Sequence, residues 1–372
     1  MTDTTTVAIV GAGVIGLAVA WRAAAAGYQV TVFDPRPVRG GASWVAGGML
    51  APVTEAWPGE EDVLELGEQS LRRWPSFAAD LAAEGMDPGL STAGTVVAAF
   101  DSADAGQLDI LAGYLHRLGR QASPVSGRQL RKTEPGLAGA VRSGLLVPGD
   151  LAVDNRALLR ALHAAARRRG ARFVAERVRG LDHRTVRTET AEHRFRAVVL
   201  AAGAWSARLH PELAGLLRPL KGEILRLRAR RTTLPPPSGT IRALVEGRPI
   251  YLVPRAGGEL VLGATQYEAG FDETVTASGV RELLEGAERV FPSVAEYELT
   301  EAKAGLRAGS ADNLPYLGVL GDGVFAATGH HRNGLLLAPV TADAALAWLA
   351  GAPTPPGVSR AHPGRMRSEE RV

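Results

Sequence analysis

The chain opens on an apolar run that ends in Gly11-x-Gly13-x-x-Gly16, and a second apolar run closes on Asp34, eighteen residues after the last of those glycines. Few short patterns restrict a fold more. The spacing predicts strand, tight turn, helix and second strand, the opening of a parallel α/β sheet built to hold a dinucleotide. Gly11 permits the turn, Gly13 lets the backbone approach a pyrophosphate, and Gly16 lets the helix lie close to the sheet. The helix N-terminus faces the phosphate charge. The helix is expected to run through Leu17 to Ala26 and to stop at Gly27. Gln29 to Phe33 is the second strand, which delivers Asp34 to the ribose hydroxyls.

The residues after Asp34 separate a nicotinamide from a flavin. Arg39-Gly40-Gly41-Ala42-Ser43-Trp44-Val45-Ala46-Gly47-Gly48-Met49-Leu50-Ala51-Pro52 is nearly uncharged and rich in small residues. Such a stretch suits close packing against a large planar ring, with backbone N–H groups and the Ser43 hydroxyl free to reach flavin and phosphate oxygens. Met49, Leu50 and Pro52 are out of place in a flexible linker. Ala197 to Ser206 reads as a buried strand ending in small residues. Val324 to Pro339 reads as strand, Gly329 turn and the start of an apolar helix, whose N-terminus is positioned to favour an anionic reduced flavin.

Jointly these motifs resemble the D-amino-acid-oxidase family of flavoenzymes, and within it the glycine oxidases of thiamine biosynthesis. The resemblance runs in order from residue 7 to about 340. It adds Leu220-Lys221-Gly222-Glu223, Tyr251 to Arg255, Gly263-Ala264-Thr265, Gly305-Leu306-Arg307 and Gly329-His330-His331-Arg332-Asn333-Gly334. Two positions depart from many relatives: Ala308 stands where they have proline, and Pro249 where some have histidine. The resemblance implies non-covalent FAD held by Gly11, Gly13, Val14, Ile15, Gly16, Asp34, Ala42 and Ser43. Gly47, Gly48, Met49, Val178 and Gly203 follow, with Gly329, His331, Arg332, Asn333, Gly334 and Leu335 at the far end. It implies a small amino-acid or amine substrate, molecular oxygen as acceptor, and a homo-oligomer, since relatives are often homotetramers.

At 372 residues, with 46% hydrophobic and 22% charged residues, the chain can bury a large core in two domains. The absence of cysteine excludes disulfides, thiol nucleophiles and a flavin attached through a cysteine thioether. Net charge is only +3, and Lys132, Lys221 and Lys303 are the only lysines, so the arginine clusters at 167–169 and 228–231 reflect composition. No aromatic-interleaved basic stripe accompanies them, and nucleic acid is not an expected partner. Met1-Thr2-Asp3 lacks a basic leader, and the run from Val7 is broken by glycines well short of the ~20 apolar residues that span a bilayer. A cytoplasmic location without membrane contact is expected.

The expected architecture is α/β: a discontinuous Rossmann-like FAD-binding domain and a second, α+β substrate domain on a mostly antiparallel sheet. Segments 1–85, 146–215 and 308–350 are assigned to the first and 86–145 and 216–307 to the second. Asp154 caps a helix from Asn155 to Arg169 that Gly170 ends, and short strands follow at 172–178 and 185–190. The segment 351–372, rich in Pro, Arg and Ser, is expected to be disordered.

Flavin-dependent amine oxidation needs few side chains, because the substrate C–H has only to be held about 3–3.5 Å from flavin N5 in a dry pocket. Arg307 can offer a bidentate fork to a substrate carboxylate. Tyr251, on a facing strand, can add a phenolic hydrogen bond. In the family the matching residues have these roles, with Arg332 near the same pocket. His330 and His331 read as flanking a turn whose backbone amides do the work. No metal-ligand spacing occurs, and Glu55, Glu60, Glu61 and Asp62 read as a solvated loop or helix start. Rival readings are a D-amino-acid or sarcosine-type oxidase or dehydrogenase, and a non-catalytic flavin-binding protein.

Overall fold

In a computed structural model describing residues 5–365, most strands fall into two sheets. A six-stranded sheet runs in the order Tyr316–Val319, Val324–Thr328, Ala197–Leu200, Thr6–Val10, Gln29–Phe33 and Arg172–Val174. Neighbours are parallel except the edge hairpin formed by its first two strands. The central strand is buried on both sides. Val7 and Ile9 enter the core beneath helix Val14–Ala25, while Ala8 and Val10 enter a second core on the opposite face. Burial on both faces is why these strands are continuous apolar runs without alternation. Helix Val14–Ala25 packs against helices Asn155–Arg168 and Ala338–Leu349. Asp154 caps the second of these, its Oδ1 accepting the N–H groups of Arg156 and Ala157 at 2.9 Å.

The second sheet has eight strands, ordered Glu298–Gly309, Arg218–Arg228, Glu259–Gly263, Arg248–Pro254, Thr240–Val245, Thr95–Ala99, Ser143–Val147 and Ser123–Ser126. All pairs are antiparallel except Thr240–Val245 with Thr95–Ala99. Leu225, Leu252 and Leu262 cover one face with helix Ala277–Val290, through Leu283 and Ala287. On the other face Ile224, Val253 and Val261 meet Val45 and Ala152. That face also carries Arg242, Tyr251 and Arg307, because residues paired across strands project to the same side.

One expectation is sharpened and two change. The apolar helix near the C-terminus begins at Ala338, after a turn at 334–337, because Pro339 lacks an N–H and sits in the first helical turn. The strands at 172–178 and 185–190 are shorter, Arg172–Val174 and Thr185–Arg187, and the latter belongs to a separate three-stranded meander. The segment expected to be disordered is packed as far as residue 365. Val358 and Ala361, in a 3-10 turn, are fully buried, and Arg365 forks onto Asp312 at 2.7 and 2.9 Å. Composition missed this because two apolar residues suffice to dock so short a segment; residues 366–372 lie outside the described residues.

Candidate active site

A cleft of about 390 Å³ opens at the C-terminal ends of the parallel strands, where ligands bind in open α/β sheets. Gly11, Gly13, Val14, Ile15 and Asp34 form one end of its wall. Ala42, Ser43, Val178 and Gly203 continue it, and Gly329, His331 and Gly334 close the other end beside Leu306 and Ala308 of the second sheet. Gly11 has φ +108°, and a Cβ there would collide with the Ala201 carbonyl. A Cβ on Gly16 would collide with the Gly11 carbonyl, so Gly16 serves packing and does not line the cleft.

Several other residues of the expected cofactor set also lie off the wall. Gly47 and Gly48 make room for side chains of the second sheet. A Cβ on Gly47 would stand 2.6 Å from the Tyr251 ring, and one on Gly48 would strike Arg255, which donates to the Gly47 carbonyl. Met49 pairs with Ala152 in a small three-stranded sheet, Asn333 and Leu335 are buried, and Arg332 turns away toward Glu55 and Glu60.

The cleft's polar groups suit a dinucleotide. Asp34 accepts the N–H of Ala12 at 2.8 Å and that of Arg36 at 2.7 Å, which pins the glycine loop to the strand end. A carboxylate has about four acceptor sites, so two remain for ribose hydroxyls. Ser43 Oγ accepts the Val14 N–H at 3.0 Å and keeps its own hydrogen to donate. The N-cap residue of helix Val14–Ala25, Gly13, makes no side-chain cap and the first turn has no acid, so beyond the Val14 N–H held by Ser43 its amides and positive dipole end are left for a diphosphate. Both ring nitrogens of His331 are buried and, among the described residues, neither has a hydrogen-bond partner. Burial, then the charges of Arg332, Arg307 and Arg218, push its pKa down to about 3, so it meets a ligand as a neutral imidazole.

Arg307 and Tyr251 do not line this cleft, although Leu306 and Ala308 on either side of Arg307 do. The strands of Arg307 and Tyr251 are not adjacent neighbours: two others separate them. Their side chains come together because the intervening strands carry glycines. A Cβ on Gly222 would collide with the Arg307 guanidinium, and one on Gly263 with the Tyr251 hydroxyl. Among the described residues the Arg307 side chain makes one hydrogen bond, Nη1 to the Thr265 carbonyl at 3.3 Å. Burial lowers the guanidinium pKa and raises that of the Tyr251 phenol, and each favours the other's charged form. A desolvated guanidinium with most of its donors unused is a receptor for a carboxylate.

The acidic stretch at 55–62 is not simply solvated. Glu55 is only 13% exposed and bridges Arg242, at 2.9 Å, and Arg332, at 3.5 Å. Glu60 joins Arg332 at 3.4 Å and accepts from Asn313 at 2.7 Å. Glu61 does begin a helix, Glu61–Leu71, and accepts the Tyr114 hydroxyl at 3.0 Å. Asp150 is fully buried with Thr54 Oγ1 donating at 2.7 Å, and burial pushes its pKa up to about 7. Arg242 and Asp150 gave no signal in the sequence, and Glu55 only as one acid of a run, since their partners lie tens to hundreds of residues away. Among the described residues no cluster of three or more His, Cys, Asp or Glu could hold a metal ion, and no helix is long and apolar enough to cross a membrane.

Residues 6–348 match the family model of FAD dependent oxidoreductases. The chain belongs to this family. FAD is the family's cofactor, and the cleft's residues fit it. The chain is 33% identical to glycine oxidase from Geobacillus kaustophilus over 357 residues, 92% of each chain. Against the crystal structure of glycine oxidase from the same organism it gives a TM-score of 0.89 at 31% identity, covering 97% of this chain and 99% of that one. It is also 34% identical to the bifunctional protein ThiO/ThiG of a Nostoc species over 348 residues, 90% of this chain, and spans about half (51%) of that longer relative.

Proposed function

We propose that the protein is an FAD-dependent amino-acid oxidase acting on glycine, with its imine product feeding the thiazole ring of thiamine. The observation that carries this reading is the half-buried Arg307 guanidinium, opposite Tyr251 on a patch of sheet cleared by Gly222 and Gly263. Arg307 holds the substrate carboxylate through a fork, and the Tyr251 hydroxyl donates a further hydrogen bond. Bound FAD supplies two-electron oxidation of the substrate α-carbon and passes the electrons to oxygen, yielding hydrogen peroxide. The apolar contacts of Val45, Val253 and Val261 exclude water from the neighbourhood of the reacting carbon. The amine reacts in its neutral form, and water then converts the imine to glyoxylate and ammonia.

On this reading segments 1–85, 146–215 and 308–350 hold the cofactor and segments 86–145 and 216–307 the substrate. The protein then works in the cytoplasm as a homo-oligomer, which light scattering can test. Anaerobic titration of the yellow holoprotein decides the activity: glycine should bleach the flavin absorbance more effectively than sarcosine or D-alanine. Bleaching led by a D-amino acid or sarcosine would reassign the substrate, and no bleaching by any amino acid would leave a flavin-binding protein without this activity.

A further inference from the structure

Glu55 is a carboxylate that the proposed reaction does not use, held on the face of the sheet that carries Arg307 and Tyr251. Its Oε1 lies 2.9 Å from Arg242 Nη1 and its Oε2 3.5 Å from Arg332 Nε, and Arg332 Nη2 donates to its backbone carbonyl at 3.0 Å. Arg242 is paired in register with Tyr251, so both side chains leave the sheet on the same side. Glu55 is close enough for its charge to act on both Tyr251 and Arg307.

The charges nearly balance. Arg307, Arg242 and Arg332 face Glu55 and Glu60, which leaves one positive charge for one substrate carboxylate. Two further groups reach this cluster: Arg255, whose charge also acts on Tyr251, and Asp150, which acts on Arg242 with a negative charge that burial weakens by pushing its pKa up to about 7. With Glu55 neutralised, Arg242 would be a guanidinium without its carboxylate, near a site that already holds a substrate anion. It would then offer a second anionic group the guanidinium that Glu55 now faces in an ion pair.

We propose that Glu55 sets the charge class of the substrate: it occupies Arg242 and Arg332 as a second substrate carboxylate would, so the pocket takes amines with one carboxylate and rejects those with two. The inference rests on the amino-acid oxidase reading above. Its test uses the holoprotein with Glu55→Gln, which keeps shape and removes charge. Acetate and malonate are titrated through their perturbation of the flavin spectrum, and kcat/KM is measured for glycine and iminodiacetate.

The malonate-to-acetate affinity ratio and the iminodiacetate-to-glycine kcat/KM ratio should each rise about ten- to a hundred-fold in Glu55→Gln. Adding Arg242→Gln should return both toward the parent values, because it removes the uncovered charge; a merely structural role for Glu55 would not be rescued this way. Unchanged or falling ratios in Glu55→Gln, or a rise that persists in the double variant, would overturn the proposal. If Glu55→Gln does not retain FAD, Glu55→Asp replaces it, since it withdraws the carboxylate from Arg242 by one methylene; the same ratios should rise less, and no rise overturns the proposal. If the parent oxidises no amino acid, the proposed activity fails while the malonate-to-acetate ratio still decides the role of Glu55.

Discussion

The six-stranded sheet prepares its end of the site with backbone, and the eight-stranded sheet prepares its own with side chains. At the first, Gly11 and Gly13 bring main chain to the cleft, and helix Val14–Ala25 offers amides and a dipole. At the second, Arg307 and Tyr251 come together over glycines of the two strands between them, and Arg242 stands in register beside Tyr251. A backbone site is made by consecutive residues, so one short motif specifies it. A side-chain site on a sheet is made by register, so residues that meet are remote in sequence. The two should therefore fail independently, one losing cofactor and the other losing turnover.

The largest expected effect is at Arg307. If Arg307 holds the substrate carboxylate as proposed, truncation leaves that carboxylate without its partner, at a cost of ~2–5 kcal/mol. Arg307→Ala should lower kcat/KM for glycine by roughly 30- to several-thousand-fold, with FAD content nearly unchanged. Arg307→Lys should recover only part, because an ammonium keeps the charge and loses the fork. Steady-state kinetics beside the flavin-to-protein absorbance ratio measures both halves at once. Unimpaired turnover in Arg307→Ala would move the carboxylate anchor to Arg332 or Arg242.

Gly13→Val is the converse experiment. A Cβ on Gly13 would stand 3.2 Å from Ser43 Oγ, and valine adds two methyl groups on the cleft wall where the proposed diphosphate site lies. The variant should purify mostly as colourless apoprotein with lower thermal stability. At a hundred-fold excess over Kd a bound ligand stabilises the native state by about 2.7 kcal/mol, and that contribution would go with the FAD. Full FAD occupancy would show that the loop does not hold the phosphates.

The same contrast explains what could be read from the sequence. The glycine loop, Asp34, the capped helix from Asn155 and the long apolar strands are local patterns, and each stands where it was expected. Arg307 and Tyr251 were legible only through family resemblance, since no spacing rule links residues on strands that two others separate. Glu55 was misread because loop acids are ordinarily solvated, and its partner Arg242 lies on a strand of the second sheet. The docked segment ending at residue 365 was misread because composition averages over the two residues, Val358 and Ala361, that anchor it.

The smallest effect separates the two regions by the sign of a pH dependence. His330, next to the helix that follows the parallel sheet, has Nε2 3.0 Å from Thr341 Oγ1, and burial lowers its pKa from 6.5 to about 3. The unfolded chain binds this proton more readily, so the stability His330 confers is complete above about pH 6.5 and is lost as pH falls toward 3. Asp150, beside Arg242 of the second sheet, is the opposite case. Burial, partly opposed by the Thr54 hydrogen bond and the Arg242 charge, raises its pKa from 3.8 to about 7. The folded chain now holds the proton more tightly, so the stability Asp150 confers is complete below about pH 3.8 and is lost as pH rises through 7. Thermal unfolding of the parent, His330→Gln and Asp150→Asn between pH 4 and 8 reads both. Relative to the parent, His330→Gln should gain stability as the solution is acidified, because its neutral side chain has no proton to bind. Asp150→Asn should gain as the solution is made alkaline, because it has none to release. Variant-minus-parent differences that are flat with pH, or that share one sign of slope, would remove the titrating groups from the account and leave the two regions distinguished only by how each is equipped for its ligand.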